Sequence, residues 1–332
     1  MRTSRIPLAQ LPTPIELLEN LTARLAGPRL LIKRDDQTGL ALGGNKTRKL
    51  EYLMADAIAQ NADIILTAGA AQSNHCRQTA AAATKLGLRC GLILGGEPPA
   101  APNGNLLLDV MLGAELHWTD REHRLERMEE IATQLRAEGH RPYVIPYGGS
   151  NGVGAQGYVT AAQEAFDQLL ERGEGVSVMV VASSSGGTQA GLALGCKLAG
   201  YDGKIVGISI DKGERGPERF EAELAAIANE AADVMGLSVR MTPEEFTVEY
   251  GYLGAGYGVV GALEREAIAL MAKEEGIFLD PVYTGRAFGA MLDMLRKGTL
   301  GDAGAGKNNG ILFWHTGGAP ACFAYAQELV GR

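Results

Sequence analysis

The stretch GGNKTRKL, residues 43–50, places two glycines and an asparagine ahead of three cations at the start of an amphipathic repeat. Peptide dipoles disfavour a cation at a helix start unless a negative ligand is present. Gly43 and Gly44 open backbone geometries closed to other residues, so the segment is built to deliver Lys46 to a particular place. A lysine desolvated there has its pKa lowered, as an amine that attacks a carbonyl needs. Lys49, one turn on, shares the side of Lys46 and could meet a phosphate. The competing account is a solvated basic face; position is what speaks against it.

Two further polar clusters sit where a strand turns into a helix. In SSSGGTQAG, residues 183–191, backbone N–H groups of Ser185, Gly186, Gly187 and Thr188 could wrap a phosphate at a helix N-terminus. A hydroxyl-rich cap that binds nothing is the alternative. The segment is not GxxxxGK[ST], and no GxGxxG follows the early strands, so nucleoside triphosphates and dinucleotides drop out. In AQSNHCRQ, residues 71–78, Gln72, Ser73, Asn74 and His75 cluster in a manner that suits a substrate carboxylate. The bland reading makes Ser73 or Asn74 an N-cap and His75 a first-turn surface residue. A hydrolase built on Ser73 and His75 is disfavoured, because residues two apart on a helix do not face each other. One lysine for covalency, a second for charge and a separate phosphate cup together describe pyridoxal 5'-phosphate (PLP) better than a sugar phosphate.

The elements that would position these groups alternate along the chain. Strands are expected at 29–34, 62–69, 88–96, 114–119, 141–149, 176–183, 202–210, 276–283 and 310–314. Amphipathic helices separate most of them, and another helix is expected near 16–26. Short apolar strands between helices read as α/β with mostly parallel sheets. About ten strands exceed one mononucleotide-type unit, so two open, twisted α/β sheet domains with a cofactor cleft between them are expected. The glycine-rich turns fall at strand ends, the ligand-binding edge of such sheets.

Composition sets the outer bounds. With 332 residues the chain can form two domains, and a hydrophobic content of 46% is globular. A formal net charge of -8 and the lack of a long basic stretch argue against nucleic acid as a partner. The longest apolar run, residues 176–182, is far too short for a bilayer, so no membrane partner is expected. Cys76, Cys90, Cys196 and Cys322 have no paired spacing and read as free thiols of a cytoplasmic protein. No zinc-type spacing of His and Cys is present.

The sequence closely resembles the D-cysteine desulfhydrase and 1-aminocyclopropane-1-carboxylate (ACC) deaminase family of PLP enzymes (tryptophan-synthase-β-like, fold type II). The likeness runs over nearly the whole chain: IKRDD at 32–36, GGNKTRKLE at 43–51, QSNHCRQTAA at 72–81, PYGGSNGVGAQGY at 146–158, SGGTQAG at 185–191, GYG at 256–258, LDPVYTG at 279–285 and HTGGAPA at 315–321. The resemblance implies that Lys46 carries the cofactor covalently and that Lys49 with Ser185–Thr188 holds its phosphate. Asn74 would lie near the ring hydroxyl, and Thr316, with Thr284 as a second candidate, near the pyridine nitrogen. Gln72, Ser73, Asn74, His75 and Tyr283 would receive the substrate; Lys46, Ser73, Tyr257 and Tyr283 would act in catalysis. It further implies a large cofactor domain from residues 1–51 and 164–332, a small inserted domain over 52–163, and a homodimer.

Within the family, ACC deaminases typically read QSNQ, VYEG and HLGG, whereas this chain reads QSNH at 72–75, VYTG at 282–285 and HTGG at 315–318. A glutamate near the pyridine nitrogen would deepen the electron sink for ring opening, while threonine offers a neutral hydrogen bond, enough for a good leaving group on Cβ. The expected reaction is therefore β-elimination on a small amino acid: D-cysteine desulfhydration first, L-cysteate sulfo-lysis as the alternative, ACC deamination last. Val259, Val260 and Gly261 replace the V-P-N usual after GYG, which predicts a looser loop around Tyr257. Asp35 and Asp36 are expected to pair with Arg34 or Arg48, and His315 is as well explained by the core as by the site.

Overall fold

A computed structural model describes residues 4–212, 217–300 and 309–331, without the side chains of 217–219. The chain opens with β1 (Ile15–Leu17), α1 (Glu19–Leu25), β2 (Leu30–Lys33) and α2 (Lys46–Ala59). It continues through β3 (Ile64–Ala70), α3 (Asn74–Lys85), β4 (Arg89–Gly95), α4 (Gly104–Met111), β5 (Glu115–Thr119), α5 (Arg124–Ala137) and β6 (Pro142–Val144). Next come α6 (Gly152–Glu171), β7 (Val176–Ser183), α7 (Gly187–Leu198), β8 (Lys204–Ser209), α8 (Pro217–Met235) and β9 (Thr247–Glu249). The last elements are α9 (Ala262–Glu275), α10 (Thr284–Lys297), β10 (Gly310–Trp314), α11 (Ala321–Ala324) and α12 (Ala326–Val330).

Among the described residues the strands form two sheets, ordered β1-β2-β10-β7-β8-β9 and β5-β4-β3-β6. Every pairing is parallel except β1 with β2. β3, β7 and β10 are almost wholly buried apolar runs, the pattern of strands covered by helices on both faces. Among the described residues no helix is long and apolar enough to cross a membrane.

Three expectations change. Residues 16 and 17, expected in a helix, join Ile15 in β1 because β2 offers all three an antiparallel edge that local periodicity cannot reveal. The apolar run at 276–283 is not a strand: residues 276–280 are irregular and 281–283 form a turn. There the Asp280 carboxylate accepts the backbone N–H groups of Val282, Tyr283 and Thr284 and bends the chain into α10. The amphipathic pattern of residues 258–274 predicts a helix from 258, and the helix begins at Ala262. The expected domain limits at 51/52 and 163/164 both fall inside helices, α2 and α6. Tyr158, Ala161, Ala162, Ala165 and Leu169 of α6 pack with Met179, Val181, Leu312 and Trp314 of the six-stranded sheet.

One buried polar cluster fixes the start of α2. Asp35 accepts from Arg48 Nε and Nη2 (2.9 and 2.8 Å), Thr13 Oγ1 (2.8 Å), Tyr158 Oη (2.6 Å) and Trp314 Nε1 (2.8 Å). Burial alone would raise this carboxyl; Arg48 and Lys33 outweigh it and bring it to about 2. Glu164 of α6 binds Lys33 and Arg48 in turn. Arg48 is thereby tied to the large sheet, and Asp36 pairs with Arg34 as expected. With Arg48 locked, the neighbouring turn faces of α2 are locked too.

Candidate active site

The two glycines before α2 do what their positions suggested. Gly43 and Gly44 adopt φ of 68° and 128°, and a Cβ would lie 2.0 Å from the Asp36 carbonyl oxygen or 2.5 Å from Gln78 Nε2. Asn45 N–H then donates to the Thr316 carbonyl at 3.0 Å, and Thr47 N–H to Gln78 Oε1 at 2.9 Å. Held between these contacts and Arg48, Lys46 enters a cleft between the two sheets. Its Nζ donates to the Gly148 carbonyl at 3.2 Å. Lys49 Nζ donates to the same carbonyl at 3.1 Å and to Ser150 Oγ at 3.1 Å.

Two amines thus share one carbonyl out of water. Burial lowers Lys46 to about 8, with partial compensation from the Asp211 carboxylate. Burial and the adjacent Lys46 push Lys49 well below the ordinary lysine range, and among the described residues no carboxylate offsets this. Buried charges are normally paired. A buried lysine lacking an acid partner marks the place of an anion.

The cup lies directly opposite. Gly186 at φ 85° turns β7 into α7, and Ser183, Ser184, Ser185, Gly186 and Thr188 line the same cavity as Lys46. A Cβ on Gly187 would come 2.9 Å from Lys49 Nζ, so the ammonium sits at the α7 N-terminus. Ser150 Oγ bridges the parts: it accepts from Gly187 N–H at 3.1 Å and donates to Ser185 Oγ at 2.8 Å. Thr188 Oγ1 accepts from Asn45 Nδ2 at 3.0 Å. Backbone N–H groups, hydroxyls and an unpaired ammonium converge, a donor set that fits a phosphate dianion.

The third wall is the start of α3. Ser73 is the N-cap, its Oγ accepting from Cys76 N–H at 3.2 Å, and Ser73, Asn74 and His75 line the cavity. No acidic residue occupies the first turn of α3, so a substrate carboxylate would meet an uncompensated helix start. His75 is buried, not on the surface. Its Nε2 bonds Thr67 Oγ1 at 2.9 Å; because that hydroxyl donates to the Ile145 carbonyl, His75 is the donor. Burial and the two lysines hold the imidazole neutral. The Ser73–His75 dyad of a hydrolase is therefore absent from the geometry.

Tyr283 and Thr316 complete the lining. Tyr257 reaches it through Tyr283, their hydroxyls 2.7 Å apart. Burial pushes both phenols well above 10, so each is a neutral hydrogen-bond donor, unable to serve as a phenolate base near neutral pH. The loop around Tyr257 is held, contrary to expectation. Arg286 Nη2 donates to the Gly256 and Val259 carbonyls at 3.1 and 3.0 Å, and Gly261 N–H donates to Glu264 Oε2 at 2.8 Å.

Two candidates face elsewhere. Gln72 does not line the cavity: its Nε2 donates to Asn103, and its Oε1 accepts the Asn105 N–H, so the amide serves the α4 start. The Thr284 hydroxyl is committed to Asp280, donating to Oδ1 and accepting the backbone N–H, each at 2.7 Å. His315 is a core histidine, with Nε2 at the Phe278 carbonyl and Nδ1 accepting Gly317 N–H. Sequence reasoning missed Asn45, Ser150 and Tyr147. Tyr147 and Ser150 lie in the quoted PYGGSN segment, so its glycine-rich turn was the available signal.

The cavity encloses about 580 Å³ of atom-free space, part of it open to solvent, within the range of small-ligand sites. Residues 6–317 match the model of a family described as "Pyridoxal-phosphate dependent enzyme". A D-cysteine desulfhydrase of Klebsiella pneumoniae is 42% identical, the alignment covering 99% of this chain and 98% of that one. A chain from Pyrococcus horikoshii, provisionally named a 1-aminocyclopropane-1-carboxylate deaminase, is 41% identical over 98% of this chain and 95% of its own. A solved ACC deaminase homologue superposes with a TM-score of 0.89 at 39% identity, covering 99% and 96% of the two chains.

Proposed function

Because the chain belongs to the pyridoxal-phosphate-dependent enzyme family, we propose that it is a D-cysteine desulfhydrase: a carbon–sulfur lyase that takes D-cysteine and water to pyruvate, hydrogen sulfide and ammonia. The observation that carries the reading is the buried Lys46–Lys49 pair on the Gly148 carbonyl, facing the serine–glycine cup, with no acid partner for Lys49 among the described residues. Full-length identity to relatives named D-cysteine desulfhydrase supports the choice of substrate.

When bound, PLP supplies the electron sink that stabilises negative charge at Cα. Lys49, the α7 N-terminus, Ser185 and Thr188 hold its phosphate, and Lys46 supplies the amine that joins its aldehyde. Asn74 and Thr316 address the ring. Ser73 and the first turn of α3 take the substrate carboxylate. Lys46, on the cavity lining, would be the group placed to take the Cα proton of a bound substrate. Tyr283, on the cavity lining and protonated, would donate toward the departing group at Cβ, with Tyr257 bonded behind its hydroxyl.

The depressed pKa has a kinetic consequence. Only the neutral amine attacks an aldehyde, so PLP uptake by cofactor-free protein should slow as pH falls through about 8, by about tenfold per further unit. Rapid-mixing absorbance measures it directly; a rate flat down to pH 6 would contradict the assignment of Lys46.

The substrate is tested by measuring sulfide from D-cysteine, sulfite from L-cysteate and ammonia from ACC on one preparation. D-cysteine is expected to be turned over fastest. A rate for L-cysteate or ACC higher by orders of magnitude would replace this reading. We read the working unit as a cytoplasmic homodimer, supported by the resemblance and by thiols that are all unpaired.

A further inference from the structure

The inference concerns how Asn74 comes to present a donor to the cavity, and it rests on the reading that the cavity holds PLP. An asparagine amide offers a carbonyl on one side and an NH₂ on the other, nearly equal in shape, so something must decide which faces the ligand. Asn74 Oδ1 accepts from Asn105 Nδ2 at 2.8 Å. Asn105 spends its other amide hydrogen on the Gln72 carbonyl at 2.9 Å, and its Oδ1 accepts from Arg77 Nε at 2.7 Å. Arg77 and Asn105 are fully buried, so water cannot substitute for either partner.

The direction of this chain is set at Asn105, whose carbonyl meets Arg77 Nε and whose NH₂ meets the Gln72 backbone carbonyl. A guanidinium donates and cannot accept. Arg77 Nε therefore forces the Asn105 carbonyl toward itself, which turns the Asn105 NH₂ toward Asn74 and the Asn74 NH₂ toward the cleft. There a Cβ on Gly318 would lie 2.7 Å from Asn74 Nδ2, placing this donor beside the turn that follows Thr316. The other arms of Arg77 donate to the carbonyls of Ala41 and Gly43, in the loop that delivers Lys46. One cation thus ties the lysine loop to the polarity of the substrate loop.

We propose that Arg77 and Asn105 are positioning residues that make Asn74 an obligate hydrogen-bond donor to the cofactor. The Asn74 N–H would address an oxygen on the ring that carries negative charge, and a flipped amide would set oxygen against oxygen there.

The test is N105D. The carboxylate is isosteric, still accepts from Arg77, and has no hydrogen for Asn74, so the Asn74 amide loses its fixed direction. Cofactor-free wild type, N105D, N74A and the N74A/N105D double variant are titrated with PLP and followed by visible absorbance. N105D is expected to weaken PLP binding by about 10- to 100-fold and to shift the absorbance maximum. The double variant should bind no more weakly than N74A, because Asn105 acts through Asn74. N105S, whose hydroxyl can meet Arg77 yet falls short of Asn74, should repeat the loss if N105D folds poorly. Wild-type affinity and spectrum in N105D, or full additivity with N74A, overturn the proposal. It also falls if both Asn105 variants lose PLP only because their cofactor-free forms melt below the wild type. A wild-type chain that takes up no PLP would overturn the function as well, whereas an unaffected N105D would leave the function standing.

Discussion

Lys46→Ala is expected to abolish sulfide release from D-cysteine and to remove the visible band of the holoenzyme while leaving the fold intact. Loss of the base alone costs about 10²–10⁴-fold in rate, and the covalent attachment disappears with it. The side chain contributes one hydrogen bond at 3.2 Å to a carbonyl that Lys49 also occupies, so little structure depends on it. The cup at the α7 start does not include Lys46, and the variant should therefore still bind PLP without a covalent link. Absorbance, sulfide assay and thermal unfolding together read the result. A Lys46→Ala protein that keeps both the band and turnover would remove the basis of the assignment.

Lys49→Met should act with opposite signs on two measurements. Its amine is buried, pushed well down in pKa and without an acid partner among the described residues, so the cofactor-free protein carries it at a cost. Methionine fills similar space without that cost, and cofactor-free Lys49→Met should unfold at a temperature equal to or above the wild type. PLP affinity should fall by about 10²-fold or more, since a desolvated charge pair with the phosphate is lost. A merely structural lysine would move both readings downward. Unchanged affinity would show that the phosphate sits elsewhere.

Much of this site was legible along the chain because its parts are local. GGNK announces itself through glycines that only a positive φ or a close approach explains, and Gly43 and Gly44 show both. The Ser185–Thr188 turn follows an apolar strand and opens a helix, a sequence that builds an anion cup from consecutive backbone N–H groups. Parallel α/β layers were readable because buried strands are apolar throughout. Misreadings fell where a partner distant in sequence decided the outcome. Residues 16 and 17 joined a strand because β2 offered an edge, and 281–283 became a turn because Asp280 folded back onto its own chain.

Side-chain direction was the larger blind spot. Gln72 and Ser73 are neighbours in one motif, yet Gln72 turns to Asn103 and Asn105 while Ser73 lines the cavity. Thr284 stood as a second candidate beside Thr316; Asp280 consumes the hydroxyl of Thr284 and leaves Thr316 on the lining. The loop at 259–261 lacks the usual proline, and Arg286, reaching from α10, holds it. Composition, spacing and backbone demands thus determined the layers, the serine–glycine turn at the start of α7 and the delivery of Lys46 to the cavity, since each depends on a few consecutive residues. Which polar groups face the cleft was decided only by the tertiary structure. A hydrogen bond is directional and saturable, so a side chain already satisfied by a distant partner is lost to the ligand.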